Sequence, residues 1–140
     1  MAPNANGYRL ATEAEWEYIA RGGDGGIPET QTTYSGSATI DDVAWYTDNS
    51  SSKTHEVKTK AANSLGICDM SGNVYEWCYD MYGTISSSTD ACGASSGAHR
   101  VLRGGSWFVS AGNCNVANRS YYYPYYRGKY YGFRLVRSAQ

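Results

Sequence analysis

The sequence comprises 140 residues with a formal net charge of -1 at pH 7 and 18% charged residues. This length is typical of one domain, so residues 1–140 are predicted to form a single domain. The balanced charge suggests neither a strongly charged disordered tail nor simple polyelectrolyte binding. No apolar run approaches the ~20 residues of a membrane-spanning helix, and no basic and apolar leader follows Met1, so neither a membrane segment nor a signal peptide is predicted.

The first predicted element is a helix that begins after Thr12. Thr12 and Glu15 have the spacing of a capping box, in which each side chain bonds the backbone N–H of the other. Apolar residues at i, i+3 and i+4 from Trp16 share one face of this helix. The segment Arg21–Gly23 ends it with a basic residue followed by glycines.

Strands are predicted later in the chain. Residues 74–81 alternate with a period of two, which places Trp77 and the neighbouring tyrosines on one face. Short strands are also predicted at Arg100–Arg103 and at Gly132–Arg137, and Trp77 and Trp107 are expected to anchor the core because of their size. One helix, several short strands and long loops predict an α+β domain.

The charges are distributed unevenly along the chain. All 13 acidic residues lie at or before Asp90, and from Ala91 onward there are seven Lys or Arg and no acid. A basic and tyrosine-rich segment is compatible with nucleic-acid binding by charge and stacking. Internal pairing is favoured, and we expect Arg103, Arg119 and Arg134 to reach acids of the first part.

The four cysteines do not form a metal-binding or redox motif. Cys68, Cys78, Cys92 and Cys114 contain no CxxC spacing, and the two histidines lie far from any metal-ligand spacing. Buried free thiols are the default prediction, and the three pairings that four cysteines allow stay open.

The segment from Tyr121 to Tyr131 is predicted to be a binding surface. It holds seven of the 14 tyrosines, while Pro124 and Gly128 argue against a continuous strand and the aromatic density argues against disorder. A segment rich in Tyr, Ser, Asn and Gly is similar in composition to an antibody paratope. Exposed aromatic patches of this kind mark binding sites.

Four sequence blocks resemble the formylglycine-generating enzyme family. They are Tyr8–Tyr18, Asn63–Gly66, Asp69–Trp77, and Arg103–Trp107 together with Gly132–Val136. The resemblance implies a C-type lectin-like fold with short antiparallel strands, few helices and long loops. Ala11 stands where the family usually has proline, and the chain begins where the family has already formed its first strands, so a minimal version of the domain is expected.

The same resemblance bears on catalysis. The family's oxidase binds copper(I) between two cysteines five residues apart that follow the Gly-Gly-Ser block, and the corresponding residues here are Val109 and Cys114. Valine cannot ligate a soft monovalent metal. The resemblance therefore implies a protein that is not an enzyme and has no catalytic residues.

The resemblance also suggests a calcium site. In the family a turn that matches Asp69–Glu76 holds calcium through carboxylates and backbone carbonyls. Asp69, Gly72 and Glu76 are the candidate ligands here, since calcium prefers oxygen donors. The alternative is a plain turn in which Glu76 pairs with an arginine. Calcium is the one cofactor that the sequence suggests.

Residues 101–136 further resemble the variable region of proteins diversified by diversity-generating retroelements, which use the same lectin-like fold. In that family, adenine-directed mutagenesis randomises chosen codons, typically Asn codons, near the C-terminus. The candidate ligand-binding residues are all reachable from AAC or AAT by changing adenines alone: Phe108, Ser110, Asn113, Asn115, Asn118, Ser120, Tyr121, Tyr122, Tyr123, Tyr125, Tyr126, Gly128, Tyr130 and Tyr131. Lys129 is not reachable in this way. The intervening residues expected to form a fixed scaffold are Cys114, Val116, Ala117, Arg119, Pro124 and Arg127.

The same resemblance implies how the candidate variable region is presented on the surface of the domain. The strands at Val101–Arg103 and Phe133–Val136 should be adjacent, with the intervening segment on one face. The tyrosines and asparagines should point outward while the scaffold residues hold the backbone. Side chains could then change without unfolding the domain.

The sequence is compatible with three functions. The leading one is a non-catalytic protein that binds another protein through a diversified, tyrosine-rich surface. The second is an oxidase of the formylglycine-generating type, which Val109 disfavours. The third is nucleic-acid binding by the basic segment, which the expected internal ion pairs disfavour. Intracellular and surface-displayed locations are both compatible with the sequence.

Overall fold

The predicted helix is present in the computed structural model, which describes residues 7–23, 31–85, 93–94 and 96–137. Helix α1 spans Glu13–Ala20. The Thr12 hydroxyl accepts a hydrogen bond from the Glu15 backbone at 3.2 Å, and the Glu15 carboxylate accepts one from the Thr12 backbone at 2.8 Å. The chain leaves the helix through Gly22, whose φ of 87° favours glycine. The capping box and the glycine end are confirmed.

The strands form two small sheets. The elements in chain order are β1 (Arg9–Leu10), α1, α2 (Ile40–Val43), β2 (Tyr75–Met81), β3 (Arg100–Arg103), a 3-10 turn (Ala111–Cys114), β4 (Ser120–Tyr122), β5 (Tyr131–Phe133) and β6 (Leu135–Val136). The larger sheet has the order β4-β3-β2-β5, and β1 pairs with β6 in the smaller one. Strands β2 and β5 are parallel and the other pairs are antiparallel. The α+β class is confirmed.

The expectation that the strands at Val101–Arg103 and Phe133–Val136 are adjacent is wrong. Strand β3 and strand β5 are not adjacent, because β2 lies between them: Glu76 is opposite Arg103 on one side and Gly132 on the other. Residues 123–130 therefore connect the β4 edge of the sheet with the β5 edge. Tyr121 and Tyr122 belong to a strand after all, since β4 ends before Pro124 and its ladder is not interrupted.

The two faces of β2 are reversed relative to a simple apolar-inside pattern. Glu76, Cys78 and Asp80 are buried, whereas Tyr75 and Trp77 are half-buried. The inner carboxylates tolerate burial because they accept hydrogen bonds, Glu76 from the Trp16 indole and Asp80 from backbone N–H groups. The prediction that Trp77 anchors the core is wrong.

The core lies between α1 and the inner face of the larger sheet. Its cluster includes Trp16, Met70, Val101 and Val116, and Trp107 is buried as predicted. Cys78 and Cys114 are buried free thiols and Cys68 is a half-buried one, while Cys92 lies outside the described residues. Within the described part of the chain, no helix is both long and apolar enough to cross a membrane.

Candidate ligand-binding surface

The chain between β3 and β5, residues 104–130, is here called the long segment. Ion pairs fix it where it leaves the sheet. Arg103 at the end of β3 is completely buried. Its guanidinium contacts Glu13 at 2.5 Å and Glu17 at 2.7 Å, and it donates to the Val116 carbonyl at 2.6 Å. Although burial opposes it, hydrogen bonding from Arg103 and Arg21 lowers the pKa of Glu17. Helix α1 therefore holds the start of the segment.

Two further arginines fix the middle and the end of the segment. Arg119, just before β4, contacts the Glu13 carboxylate at 2.6 and 2.7 Å, and this hydrogen bonding raises the pKa of Arg119. Arg134, just after β5, donates to Glu76 at 2.9 Å. The prediction that these arginines reach acids of the first part is confirmed.

A glycine turn and Trp107 support the first half of the segment. Gly105 has a φ of 74°, and a Cβ there would lie 2.7 Å from the Cys114 sulfur, so glycine is required for space as well as conformation. The Trp107 backbone donates to the Asn73 carbonyl at 2.8 Å. Its indole donates to the Lys129 carbonyl at 3.1 Å. Trp107 thus links the core to the turn at residues 123–130.

None of the predicted ligand-binding residues is buried. Those that are exposed are Phe108, Ser110, Tyr121, Tyr122, Tyr123, Tyr125, Tyr126 and Gly128. Those that are half-buried are Asn113, Asn115, Asn118, Ser120, Tyr130 and Tyr131. The exposed fraction ranges up to 76% at Tyr125. The sequence therefore located a segment whose side chains are accessible.

The asparagines differ from the expected outward orientation. Asn113 donates to the Ser110 hydroxyl at 3.1 Å, and Asn118 donates to the Asn113 carbonyl at 3.2 Å. The Asn115 side chain accepts a hydrogen bond from the Ala117 backbone at 2.8 Å. These side chains therefore stabilise the loop around the 3-10 turn.

The scaffold residues also divide into two groups. Cys114 and Val116 are buried and Arg119 is half-buried, as a fixed support requires. Ala117, Pro124 and Arg127 are exposed. Those three are therefore part of the accessible surface.

A group of rings, here called the central cluster, lies on the outer face of the sheet. Tyr131 on β5 contacts Trp77 with ring centroids 5.8 Å apart, Tyr122 at 5.8 Å and Tyr126 at 5.6 Å. Tyr75 stacks on Tyr131 at 6.1 Å. Burial among these rings raises the pKa of Tyr131. The central cluster joins the candidate variable region to Tyr75 and Trp77 of β2.

Further rings extend the surface on both sides of the central cluster. Tyr121 packs 4.2 Å from Tyr82, and Tyr123 packs 4.3 Å from the His99 ring. At the other end, Tyr130 lies 5.0 Å from Trp107 and 5.2 Å from Phe108. Contacts of Tyr123 with Tyr122 at 6.0 Å and of Tyr130 with Tyr131 at 6.2 Å join these rings to the central cluster. The tyrosines of residues 121–131 therefore form one aromatic surface.

Sequence reasoning missed several members of this surface. Tyr75, Trp77, Tyr82 and His99 all lie before Val101 and outside the candidate variable region. The alternation of aromatic residues on β2 was the available signal. It could have found Tyr75 and Trp77 if the face with carboxylates had been taken as the inner one.

The residues at the copper positions of the formylglycine-generating family do not fit that metal. Val109 supplies no ligand. Cys114 is completely buried, and burial raises the pKa of its thiol to about 12, so it stays protonated near neutrality. A cysteine ligates copper(I) as its thiolate.

Two of the three candidate calcium ligands, Glu76 and Asp69, are engaged elsewhere. Both Glu76 oxygens accept hydrogen bonds, one from Arg134 at 2.9 Å and the other from Trp16 at 2.7 Å. Asp69 accepts from the Lys58 backbone at 2.8 Å, and a Cβ at Gly72 would lie 2.4 Å from the Trp45 carbonyl oxygen. Among the residues that the structure describes, no group of three His, Cys, Asp or Glu side chains is placed to hold a metal ion. This arrangement favours the plain turn, and the calcium site stays the alternative hypothesis.

Comparisons with known proteins support the same fold. The family model described as "Sulfatase-modifying factor enzyme 1-like domain" matches residues 2–139. The solved structure of Treponema denticola variable protein 1 is 45% identical, with a TM-score of 0.86 over 96% of this chain and 49% of that chain. Chaperone protein LppX of Paenibacillus barcinonensis is 35% identical over 96% of this chain and 50% of its own length. The formylglycine-generating enzyme of Streptomyces coelicolor is 35% identical over 95% of this chain and 48% of its own length. The chain thus spans about half the length of these proteins.

Proposed function

Since the chain belongs to the family of the sulfatase-modifying factor enzyme 1-like domain, we propose that it uses this fold to bind another protein rather than to catalyse a reaction. Residues 101–136 are the diversified binding segment. The observation that carries the proposal is an accessible aromatic surface whose backbone is fixed by Arg103, Arg119 and Arg134. Function then depends mainly on the exposed side chains of the segment, such as Tyr125, which the fold does not need.

The contacts that hold the backbone of the segment are separate from its exposed side chains, which favours a variable surface. The segment is held by arginine–glutamate contacts and by backbone hydrogen bonds, such as that from the Tyr126 N–H to the Tyr123 carbonyl at 3.0 Å. Replacement of an exposed side chain leaves these contacts in place. Such a surface tolerates sequence change at little cost in stability.

Tyrosine suits a protein ligand. Its ring gives a large contact area with few rotatable bonds, and its hydroxyl forms hydrogen bonds at the edge of an interface. Tyr125 and Tyr126 are 76% and 42% exposed, so their rings are accessible to a partner. Tyrosines are also enriched among the residues that dominate binding energy.

The similarity to Treponema denticola variable protein 1 supports the diversified-protein hypothesis. The similarity to a formylglycine-generating enzyme supports the alternative, an oxidase of that type. Val109 and the protonated Cys114 thiol disfavour the oxidase, because they provide no thiolate pair. The non-catalytic function is therefore the better proposal.

Selection from a peptide library displayed on phage tests the proposal. Peptides selected on the wild-type domain should lose binding when Tyr125 or Tyr126 is replaced by Ser. The matched control is Tyr8→Ser, because Tyr8 is 71% exposed but lies outside the segment. Selected peptides that bind all three variants equally would contradict the proposal. Salt-dependent binding of a mixed-sequence single-stranded DNA, without tyrosine-dependent peptide binding, would support the nucleic-acid alternative.

The DNA next to the gene tests diversification separately. We expect a near-copy of the segment that encodes Val101–Val136, enriched in AAC and AAT codons, beside a reverse transcriptase gene. A complete genome without such a near-copy would contradict diversification. It would leave protein binding to be decided by the selection experiment.

A further inference from the structure

A cleft of about 400 Å³ lies beside the central cluster. It is lined by Leu10, Trp77, Tyr79, Arg100, Pro124 and Phe133. Trp77 also belongs to the central cluster, where its ring contacts Tyr131. The cleft therefore continues the aromatic surface. None of its lining residues is a candidate variable residue, which makes it a constant feature next to a changing one.

The cleft combines an apolar wall with a cation. Phe133 is 66% exposed and leaves apolar surface open to a ligand. The Arg100 guanidinium lies 5.3 Å from the Tyr79 ring and donates to the Tyr79 carbonyl, which holds it at the cleft. A planar guanidinium binds a carboxylate through two parallel hydrogen bonds.

The charged residues that the second part of the chain contributes to this face are basic. The β2 carboxylates, Glu76 and Asp80, are buried on the inner face of the sheet, and the sequence from Ala91 onward contains no acid. Arg127 and Lys129 are exposed in the turn that follows Pro124. The Lys129 ammonium lies 5.2 Å from the Trp107 ring and 5.5 Å from the Tyr130 ring. A ligand with carboxylates complements this face.

We propose that the cleft is a constant subsite for a protein ligand that presents an apolar side chain next to a carboxylate. The apolar side chain packs against Trp77 and Phe133, and the carboxylate pairs with Arg100. The inference rests on the proposed protein-binding function and adds the chemistry of the ligand. Variable tyrosines would then select among ligands that all satisfy this constant requirement.

The charge distribution favours an acidic protein over a nucleic acid. Of the seven basic residues after Ala91, Arg103, Arg119 and Arg134 are paired with glutamates inside the fold. They are not available for phosphates, whose neutralisation supplies most nucleic-acid affinity. The apolar lining of the cleft also suits a side chain better than a sugar–phosphate backbone.

Sequencing the peptides selected from the phage library tests this subsite. We expect an excess of Asp and Glu next to aromatic or aliphatic residues, relative to the unselected library. Binding of these peptides should weaken about tenfold, equivalent to about 1.4 kcal/mol, in Arg100→Gln and in Phe133→Ser. Arg100→Lys keeps the charge but not the planar fork, and should weaken binding less than Arg100→Gln.

Matched controls separate the cleft from general surface effects. Lys53 is exposed and Val57 is 64% exposed, and neither lines the cleft, so Lys53→Gln and Val57→Ser should leave binding unchanged. A melting temperature for each variant establishes that it is folded. Phe133→Ser provides a test that does not depend on the Arg100 contact with Tyr79.

The outcomes distinguish this inference from the proposed function. Peptides without excess acid that bind Arg100→Gln and wild type equally, yet still require Tyr125, would overturn the subsite and leave protein binding intact. Peptides that do not require the tyrosines would overturn the proposed function. Selection of no peptide on the wild-type domain would count against both.

Discussion

Arg119 and Glu13 are 106 positions apart in the sequence and form a bidentate ion pair, with contacts of 2.6 and 2.7 Å. One Glu13 oxygen also accepts a hydrogen bond from the buried Arg103 at 2.5 Å. A single carboxylate at the start of α1 therefore holds both the end of β3 and the residue before β4. The position of the first half of the proposed binding segment depends on it.

Glu13→Gln should destabilise the domain by about 3–5 kcal/mol, because it leaves two guanidinium groups without this carboxylate in a buried site. Urea unfolding at neutral pH measures the change. Glu56→Gln is the matched control, since Glu56 is exposed, and it should change stability by less than about 0.5 kcal/mol. Equal stability of the two variants would show that the Glu13 contacts contribute little.

The tyrosines of the segment should differ in their effect on stability. Tyr125→Ser should change the free energy of unfolding by less than about 0.5 kcal/mol, because the ring is 76% exposed. Tyr131→Ser should cost about 1–3 kcal/mol, since its ring packs against Trp77, Tyr122 and Tyr126. Thermal melts of both variants test this. A large loss in Tyr125→Ser would show that the turn contributes to the core.

Some features of the fold were predictable because local patterns encode them. The capping box needs only Thr12 and Glu15, three residues apart, and the structure forms it as predicted. The arginine contacts were predictable because a segment with seven basic residues and no acid must find partners elsewhere. Arg134, for example, reaches Glu76.

Other features depend on distant partners and were not predictable from local pattern. Glu76 is buried because Trp16 and Arg134 supply donors from 60 and 58 residues away. Without that knowledge, Trp77 looked like the inward residue. The prediction that the strands at Val101–Arg103 and Phe133–Val136 are adjacent was wrong for a similar reason. The position of β2 between β3 and β5 depends on strand pairings that no local sequence pattern indicates.

Acid should destabilise the domain partly through Glu15. The hydrogen bond from Arg9 lowers the pKa of Glu15 to about 2 from its ordinary value of 4.5. In the unfolded chain Glu15 keeps the ordinary value, so its contribution is complete above about pH 5 and is lost as the pH falls toward about 2. The stability difference between wild type and Glu15→Gln should therefore shrink over that range. A difference that stays constant in urea titrations at several pH values would contradict this.

The melting temperature should not respond to calcium or to a chelator. Both Glu76 oxygens already accept hydrogen bonds from Arg134 and Trp16, so calcium would have to displace a guanidinium from its partner. Differential scanning fluorimetry with added calcium, and with a calcium chelator, measures the response. A rise in melting temperature with calcium that is absent in Asp69→Asn would establish the site.

Copper(I) should not bind tightly to the wild-type chain, because Val109 provides no sulfur and burial raises the pKa of the Cys114 thiol to about 12. Titration against a chromogenic copper(I) chelator measures affinity, and oxygen uptake with a cysteine-containing sulfatase peptide measures oxidation. Wild type and Cys114→Ser should behave alike in both assays. Val109→Cys restores the spacing of two cysteines five residues apart and should gain copper affinity, because a soft monovalent metal held between two sulfurs favours release of both thiol protons. It should still not oxidise the peptide, since a pair of cysteine ligands alone supplies no groove for the substrate. Stoichiometric copper binding by the wild type, accompanied by oxygen uptake, would overturn the non-catalytic assignment.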